Sequence, residues 1–494
     1  MSLLSTRTAL TLSAAFLLAG CSTTPSTQST TTTSAAVTTP TIANLQPFAD
    51  TTGNIATYTT ASVIDESTAF FQPLGTNART CATCHQAAQG MSLTPTAALT
   101  LFTTTSGTDP LFTTIDGANY PTAPTGDTAS HSLILNSGLI RIPVELPANT
   151  QFTLTVLSDP YNCALTIDPT TGRQIVSTYR RPLPTSSLAY LSNIMWDTRE
   201  TISPLTTAST FDTNLTADLN QQLLDAVSIH EQGTTTPTAA QVAAILALQQ
   251  SLYTAQSTDT LAGSLSTAGA TGGPTNLAAV TFYPGINDAF GADPTGKPFN
   301  PAAFNLYTAW ANSTNAQQAS IARGENIFNT APMQITDVRG INDNPAVGAP
   351  ANQRGSCSFC HDTPNIGNHS LPLPLDTGTS RLSATETDPQ IIAGLAQLSA
   401  PTLPIYQITG CKNAANQPVT YITSDPGKGL FTGQCADINR VKLPILRGLA
   451  ARAPYFHNGS ATNLTQLVNF YNARFQMNLN QGQKTDLINF LNAL

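Results

Sequence analysis

Two copies of one five-residue pattern constrain this chain more than any other feature: Cys81-Ala82-Thr83-Cys84-His85 and Cys357-Ser358-Phe359-Cys360-His361. Both match C-x-x-C-H, the pattern of covalent haem attachment. The spacing has a chemical reason. Two thiols one helical turn apart can each form a thioether to a porphyrin vinyl group, and the adjoining imidazole then lies under the iron as proximal ligand. A zinc site would instead need Cys and His pairs converging in one tetrahedron, and here the two motifs are far apart in sequence with His adjacent in both. The expected cofactors are therefore two covalently bound c-type haems, one held by Cys81, Cys84 and His85, the other by Cys357, Cys360 and His361. At roughly 150 residues per domain, a chain of 494 residues has room for two haem domains and a long connection.

The other cysteines bear on location. Arg7, an apolar run from Ala9 to Leu18 and the sequence Leu18-Ala19-Gly20-Cys21 read as a secretory signal over residues 1–20. With fewer than about 17 apolar residues the run is too short for a comfortable membrane span. The tetrapeptide resembles a bacterial lipobox, which implies a lipid anchor on Cys21; Ser22 behind it favours the outer membrane. Residues 21–45 are mostly Ser, Thr, Pro and Gln and read as a flexible tether. The expected location is the periplasmic face of the cell envelope, where c-type attachment takes place. Cys163, Cys411 and Cys435 allow at most one disulfide in that oxidising compartment. Three pairings are open, with Cys411–Cys435 favoured because they bracket what reads as a surface loop.

Charge excludes one class of partner. Twenty basic against 28 acidic side chains, net −8, with no Lys/Arg cluster, lack the footprint of a nucleic-acid binder. The sparse charge also offers no obvious protein-docking patch.

Helical patterns dominate the reading of local structure. Thr236-Pro237 offers an N-cap and a first-turn proline before a stripe of Val242, Ile245, Leu248 and Leu252. Thr254 to Pro301 reads as loops. Ile321, Gly324 and Phe328 look like the opening helix of a cytochrome c domain, expected to cross a last helix carrying Leu487, Phe490, Leu491 and Leu494. Asn463 and Gln466 open a further helix with Leu464, Leu467, Val468 and Tyr471 on one face. Short strands are expected between Ser132 and Thr155. The predicted fold is mainly α, with two cytochrome c-like haem domains (46–319, with insertions, and 320–494), long loops and a few short strands.

Lys442-Leu443-Pro444-Ile445-Leu446-Arg447, Ala453-Pro454-Tyr455-Phe456-His457-Asn458-Gly459 and Trp196-Asp197-Thr198-Arg199-Glu200 resemble signatures of the bacterial di-haem cytochrome c peroxidase and MauG family. Thr198 stands where that family usually has Gly. The resemblance runs in family order from about Asn77 to Leu494. It implies a peroxide-reactive haem at His85 with an open distal position and an electron-storing haem at His361. Classical members complete the second haem with Met fourteen residues after the signature His; that position is Tyr471 here, as in MauG-type members, and Met477 is the competing thioether. The resemblance further implies Trp196 as a relay between the haems and His457 as a propionate partner or a support near the second haem. Distal proton transfer falls to Gln222 with His230 or Glu231, although the family's intervening Pro is missing. Calcium between the haems is a further implication, with Lys442, Pro444 and Asn193 as candidates. His131 and His369 read as structural or surface residues.

The resemblance implies an enzyme that reduces hydrogen peroxide, with electrons from a small cytochrome c or cupredoxin. Two alternatives stand beside it. One is a di-haem electron carrier without peroxidase activity. The other is MauG-like or oxygenase-type oxidation of a protein or organic substrate.

Overall fold

The helix Ala316–Thr330 starts where Asn315 can cap it: its Oδ1 accepts from the backbone N of Gln317 and Gln318. One face, with Ile321, Gly324 and Phe328, is buried against the last helix, Gln481–Asn492. The expected crossing is present, and Gly324 is its pivot. A Cβ there would lie 2.0 Å from the Asp486 carbonyl oxygen and 2.6 Å from the Phe490 Cβ. Gly324→Ala should therefore force the helices apart and cost about 1–3 kcal/mol, seen as a lower denaturant midpoint; an unchanged midpoint would contradict this packing. Phe304 wedges its ring 5.1 Å from Phe328 and 5.4 Å from Phe490, closing this core.

The computed structural model describes residues 40–202, 209–413 and 415–494. The signal segment, Cys21 and most of the tether lie outside the described residues. The tether's last part does not: Thr41–Ala43 pairs antiparallel with Val63–Asp65, so ordered structure begins before residue 46. Pro40–Leu494 pack as one unit.

The fold is mixed rather than mainly α. Among the described residues it has twelve α-helices and fourteen strands. Thr, Val and Ile suit a pleated, half-buried surface, and such residues fill segments that read as loop or helix. Leu252–Asp259, placed partly in the helical stripe and partly in loop, pairs antiparallel with Gly53–Thr59, Ala56 facing Ala255. The preceding helix is Ala239–Ser251, capped by Thr238 rather than Thr236. Ser132–Ser137 is a short helix, and the strands of that region are Ile140–Glu145 and Thr153–Ser158. Thr153–Ser158 pairs with Ile405–Lys412, which pairs in turn with Pro418–Thr423. One sheet thus joins strands from both sides of residue 320. The Cys411–Cys435 disulfide forms as favoured, but the segment between its cysteines holds the end of a β-hairpin. Cys163 is free and buried.

Candidate functional site

Each C-x-x-C-H motif folds as the chemistry of attachment requires. Cys81–Cys84 is a single helical turn, begun by a Thr80/Thr83 capping box and closed by His85 N–H donating to the Cys81 carbonyl at 3.1 Å. Cys357–Cys360 repeats the turn, with His361 N–H to the Cys357 carbonyl at 3.0 Å. Both imidazoles then leave the helix with Nδ1 on a backbone carbonyl: His85 on Met91 at 3.2 Å, His361 on Gly367 at 2.5 Å. A ring that donates from Nδ1 keeps the Nε2 lone pair free for a metal. Burial pushes both imidazoles down to about 4, which keeps them neutral near pH 7. Burial likewise pushes the Cys84, Cys357 and Cys360 thiols up to about 12, unlike reactive redox or zinc-binding thiolates.

Each motif opens into a cavity. About 1380 Å³ of non-atom space adjoins His85, and about 1540 Å³ adjoins His361. They share a wall made of Arg181–Pro184, Trp196, Lys442, Pro444 and Ile445. Three cations on the cavity walls are buried and have no carboxylate within ion-pair distance among the described residues: Arg181, Arg452 and Lys442. Buried charge needs a counter-charge. The carboxylates of a porphyrin would provide it, so these residues fit a haem in each cavity.

Trp196 sits in the shared wall, its Nε1–H donating to the Arg181 carbonyl at 2.8 Å and its ring edge-on to His457 at 6.1 Å. Behind it, Asp197 accepts from Arg180 Nη1 at 2.6 Å and from Arg199 Nη1 at 2.9 Å, all three within the core or at its margin. Arg180 also forks onto Asp425, Nε at 2.7 Å and Nη2 at 2.9 Å. These pairs are what the Trp-Asp-x-Arg signature builds. Thr198 has φ 62°, left-handed backbone that costs a β-branched residue and suits Gly. Thr198→Gly should therefore stabilise the fold by about 1 kcal/mol, raising the thermal midpoint; a lower midpoint would show that the Thr side chain matters more than the strain.

The distal candidates Gln222, His230 and Glu231 all line the first cavity, on or just after the helix Phe211–Ile229. Their partners differ. His230 Nδ1 meets Asp116 Oδ2 at 2.5 Å, and Asp116 also pairs with Arg79. Burial opposes the Asp116 charge, yet Arg79 and His230 outweigh it and hold the carboxyl below its usual range. Glu231 instead accepts from Leu74 N–H at 2.8 Å and lies 3.6 Å from the Cys81 sulfur, so its carboxylate is committed beside the attachment turn. Gln249 lines the same cavity and was not singled out from the sequence. Its Nε2 donates to Thr185 Oγ1 at 2.9 Å while its Oε1 has no partner. The signal was available: a buried Gln four residues after Ile245 on an apolar helix face.

The second cavity contains both Tyr471 and Met477, and His457 as well. Burial pushes the Tyr471 phenol up, and the Cys357 and Cys360 thiols beside it act in the same direction. His457 Nε2 meets Ser380 Oγ at 3.1 Å and lies 3.7 Å from Asp425. His131 is structural, held between the Asp127 and Phe112 carbonyls at 2.8 and 3.1 Å.

Of the calcium candidates, the Asn193 carbonyl already has a partner: the buried Lys442 Nζ donates to it at 2.9 Å. Desolvation pushes this lysine down to about 7.

No family model matches the chain. Two curated proteins of Denitromonas iodatirespirans are similar to it. Cytochrome-c peroxidase IdrP2 is 29% identical over 148 residues, covering 28% of this chain and 36% of that protein. Cytochrome-c peroxidase IdrP1 is 28% identical over 211 residues, covering 39% of this chain and 53% of that protein. The chain thus spans about a third to a half of the length of the curated relatives it matches. A solved MauG-like protein associated with microbial copper homeostasis aligns over 67% of this chain and 78% of its own, at 15% identity and a TM-score of 0.27. At that score the likeness carries no argument.

Proposed function

We propose that this chain, a relative of the bacterial di-haem cytochrome c peroxidases and MauG proteins, holds one haem at Cys81, Cys84 and His85 and a second at Cys357, Cys360 and His361, and reduces hydrogen peroxide at the first. The observation that carries the reading is the shared wall, which puts Trp196 between two cavities built on the same turn. When bound, the haems supply the two electrons for H2O2 + 2 e⁻ + 2 H⁺ → 2 H2O and draw them back from an external donor.

The protein's own part is proton handling, positioning and insulation. His230 gives its Nδ1 to Asp116 at 2.5 Å, which leaves Nε2 as the atom that exchanges a proton with the cavity. Gln222 offers an amide to orient peroxide in the cavity, and Gln249 Oε1 offers an acceptor. Glu231, committed to Leu74 N–H, positions the attachment turn. Arg181 and Arg452 would neutralise the propionates of a bound haem. Trp196, fixed by the Arg181 carbonyl, provides the aromatic bridge. The donor is a small cytochrome c or cupredoxin, met on the periplasmic face of the envelope, where Cys21 carries the lipid anchor.

A spectrum tests this directly. EPR with optical absorption of the resting ferric protein should give one high-spin and one low-spin haem. Two low-spin haems would sink the peroxide reading and leave an electron carrier.

A further inference from the structure

Away from both cavities, three chemically active side chains meet in the interior: Asp288, Asp362 and His369. All three are buried, and one donor atom from each lies within 4.8 Å of the other two. None of them lines either cavity. Their local bonds do not exhaust them. Asp288 Oδ2 accepts from Phe290 and Ala292 N–H, each at 2.9 Å, but its Oδ1 has no partner. Asp362 accepts from Ser370 N–H at 2.7 Å and Ser370 Oγ at 3.1 Å. His369 Nδ1 stands 3.6 Å from Asp362 Oδ2 and accepts the Leu371 N–H at 3.2 Å, a bond that an ion on Nδ1 would displace.

Among the described residues neither carboxylate has a Lys or Arg within ion-pair distance; the one basic group that close is His369. Two carboxylates thus lie beside each other with no solvent to screen them. Buried carboxylates persist when they are paired or when they coordinate a metal. Two negative charges match one divalent cation, and an imidazole in the set favours a zinc-class transition ion over calcium or magnesium, which take oxygen ligands.

We infer that Asp288, Asp362 and His369 form a structural site for one zinc-class divalent ion, separate from the haem irons. Its place gives it a use. Asp362 and His369 belong to the loop behind His361, and Asp288 to a loop that reaches it through Asn287 Nδ2 on the Asp362 carbonyl at 3.0 Å. Ser192 Oγ donates to the His369 carbonyl at 2.7 Å, and Asn368 Nδ2 to the Tyr190 carbonyl at 2.6 Å. The ion would tie Asn287–Asp293 to His361–Ser370, the segment that already holds Tyr190–Ser192 through these two hydrogen bonds.

The test uses the full holoprotein, stripped with a chelator and titrated with zinc sulfate. One zinc per chain, counted beyond iron, should bind and raise the melting temperature, and Asp288→Asn should weaken that binding at least tenfold. Anomalous scattering at the zinc edge should place the ion among the three side chains, which decides the matter even if the variant does not fold. Failure of the wild-type protein to retain zinc, zinc density only elsewhere, or unchanged affinity in a folded Asp288→Asn protein would each overturn the assignment. Because zinc is counted apart from haem, the outcome is independent of the peroxidase reading.

Discussion

Tyr471→Met is expected to raise the reduction potential of the haem proposed at His361 by on the order of 100 mV or more, since axial ligands alone tune haem potentials over several hundred millivolts. A phenolate oxygen stabilises the oxidised iron, and a thioether the reduced one. The phenol lies in the cavity that Cys357, Cys360 and His361 open, held among the rings of Phe456, Phe470 and Phe475 at 6.0, 5.4 and 5.8 Å. Burial pushes its ionisation up, so only a strong local positive charge such as ferric iron would draw off its proton. Met477 shares the cavity and gives the control. Spectroelectrochemical titration of both variants separates the two ligands. A large upward shift in Tyr471→Met with little change in Met477→Leu supports the phenolate. The reverse pattern would assign the iron to Met477 and remove the argument for a MauG-type centre.

How far these features could be read from the sequence depended on whether their logic is local. The attachment turns were legible in full, because five consecutive residues carry both the thiols and the imidazole. The crossing at Gly324 was legible too, since helical periodicity on two segments specifies their apolar faces. The strand Leu252–Asp259 was not. Its first residue, Leu252, ends an apolar helical stripe, the residues from Thr254 on read as loop, and only the distant Gly53–Thr59 supplies the ladder that makes it extended. Thr198 was noticed as a departure from Gly, but its left-handed backbone needed coordinates. The same limit hid the Lys442 ammonium on the Asn193 carbonyl, and the meeting of Asp288 with Asp362 and His369, where the partners lie tens to hundreds of residues apart.

The cluster under Trp196 should govern stability more than any surface feature. Arg180 is wholly buried and holds two carboxylates, Asp197 and Asp425. Replacing it with Met would leave Asp197 with Arg199, whereas Asp425 would keep only the Gly427 N–H at 2.8 Å and His457 at 3.7 Å. Stranding one buried charge in this way costs about 3–5 kcal/mol, to be read as a lower urea midpoint at constant slope. Combining Arg180→Met with Asp425→Leu should recover much of the loss, because the stranded charge is then gone; no recovery would mean that the guanidinium acts through packing. The same cluster sets an acid limit. Burial pushes His457 down to about 4 against about 6.5 when unfolded. Below pH 6.5 the unfolded chain therefore binds the proton that the native state refuses, and about 3 kcal/mol should be lost as the pH falls from 6.5 to 4. Burial alone would raise the Asp425 carboxyl, but the Arg180 guanidinium overcomes it and holds the group low, so its contribution survives until the pH falls below the usual carboxylate range. Urea midpoints measured from pH 8 to pH 4 should then be flat down to about 6.5 and decline below it, and a His457→Gln protein should show a shallower decline. An identical slope in that variant would move the acid sensitivity to another buried imidazole.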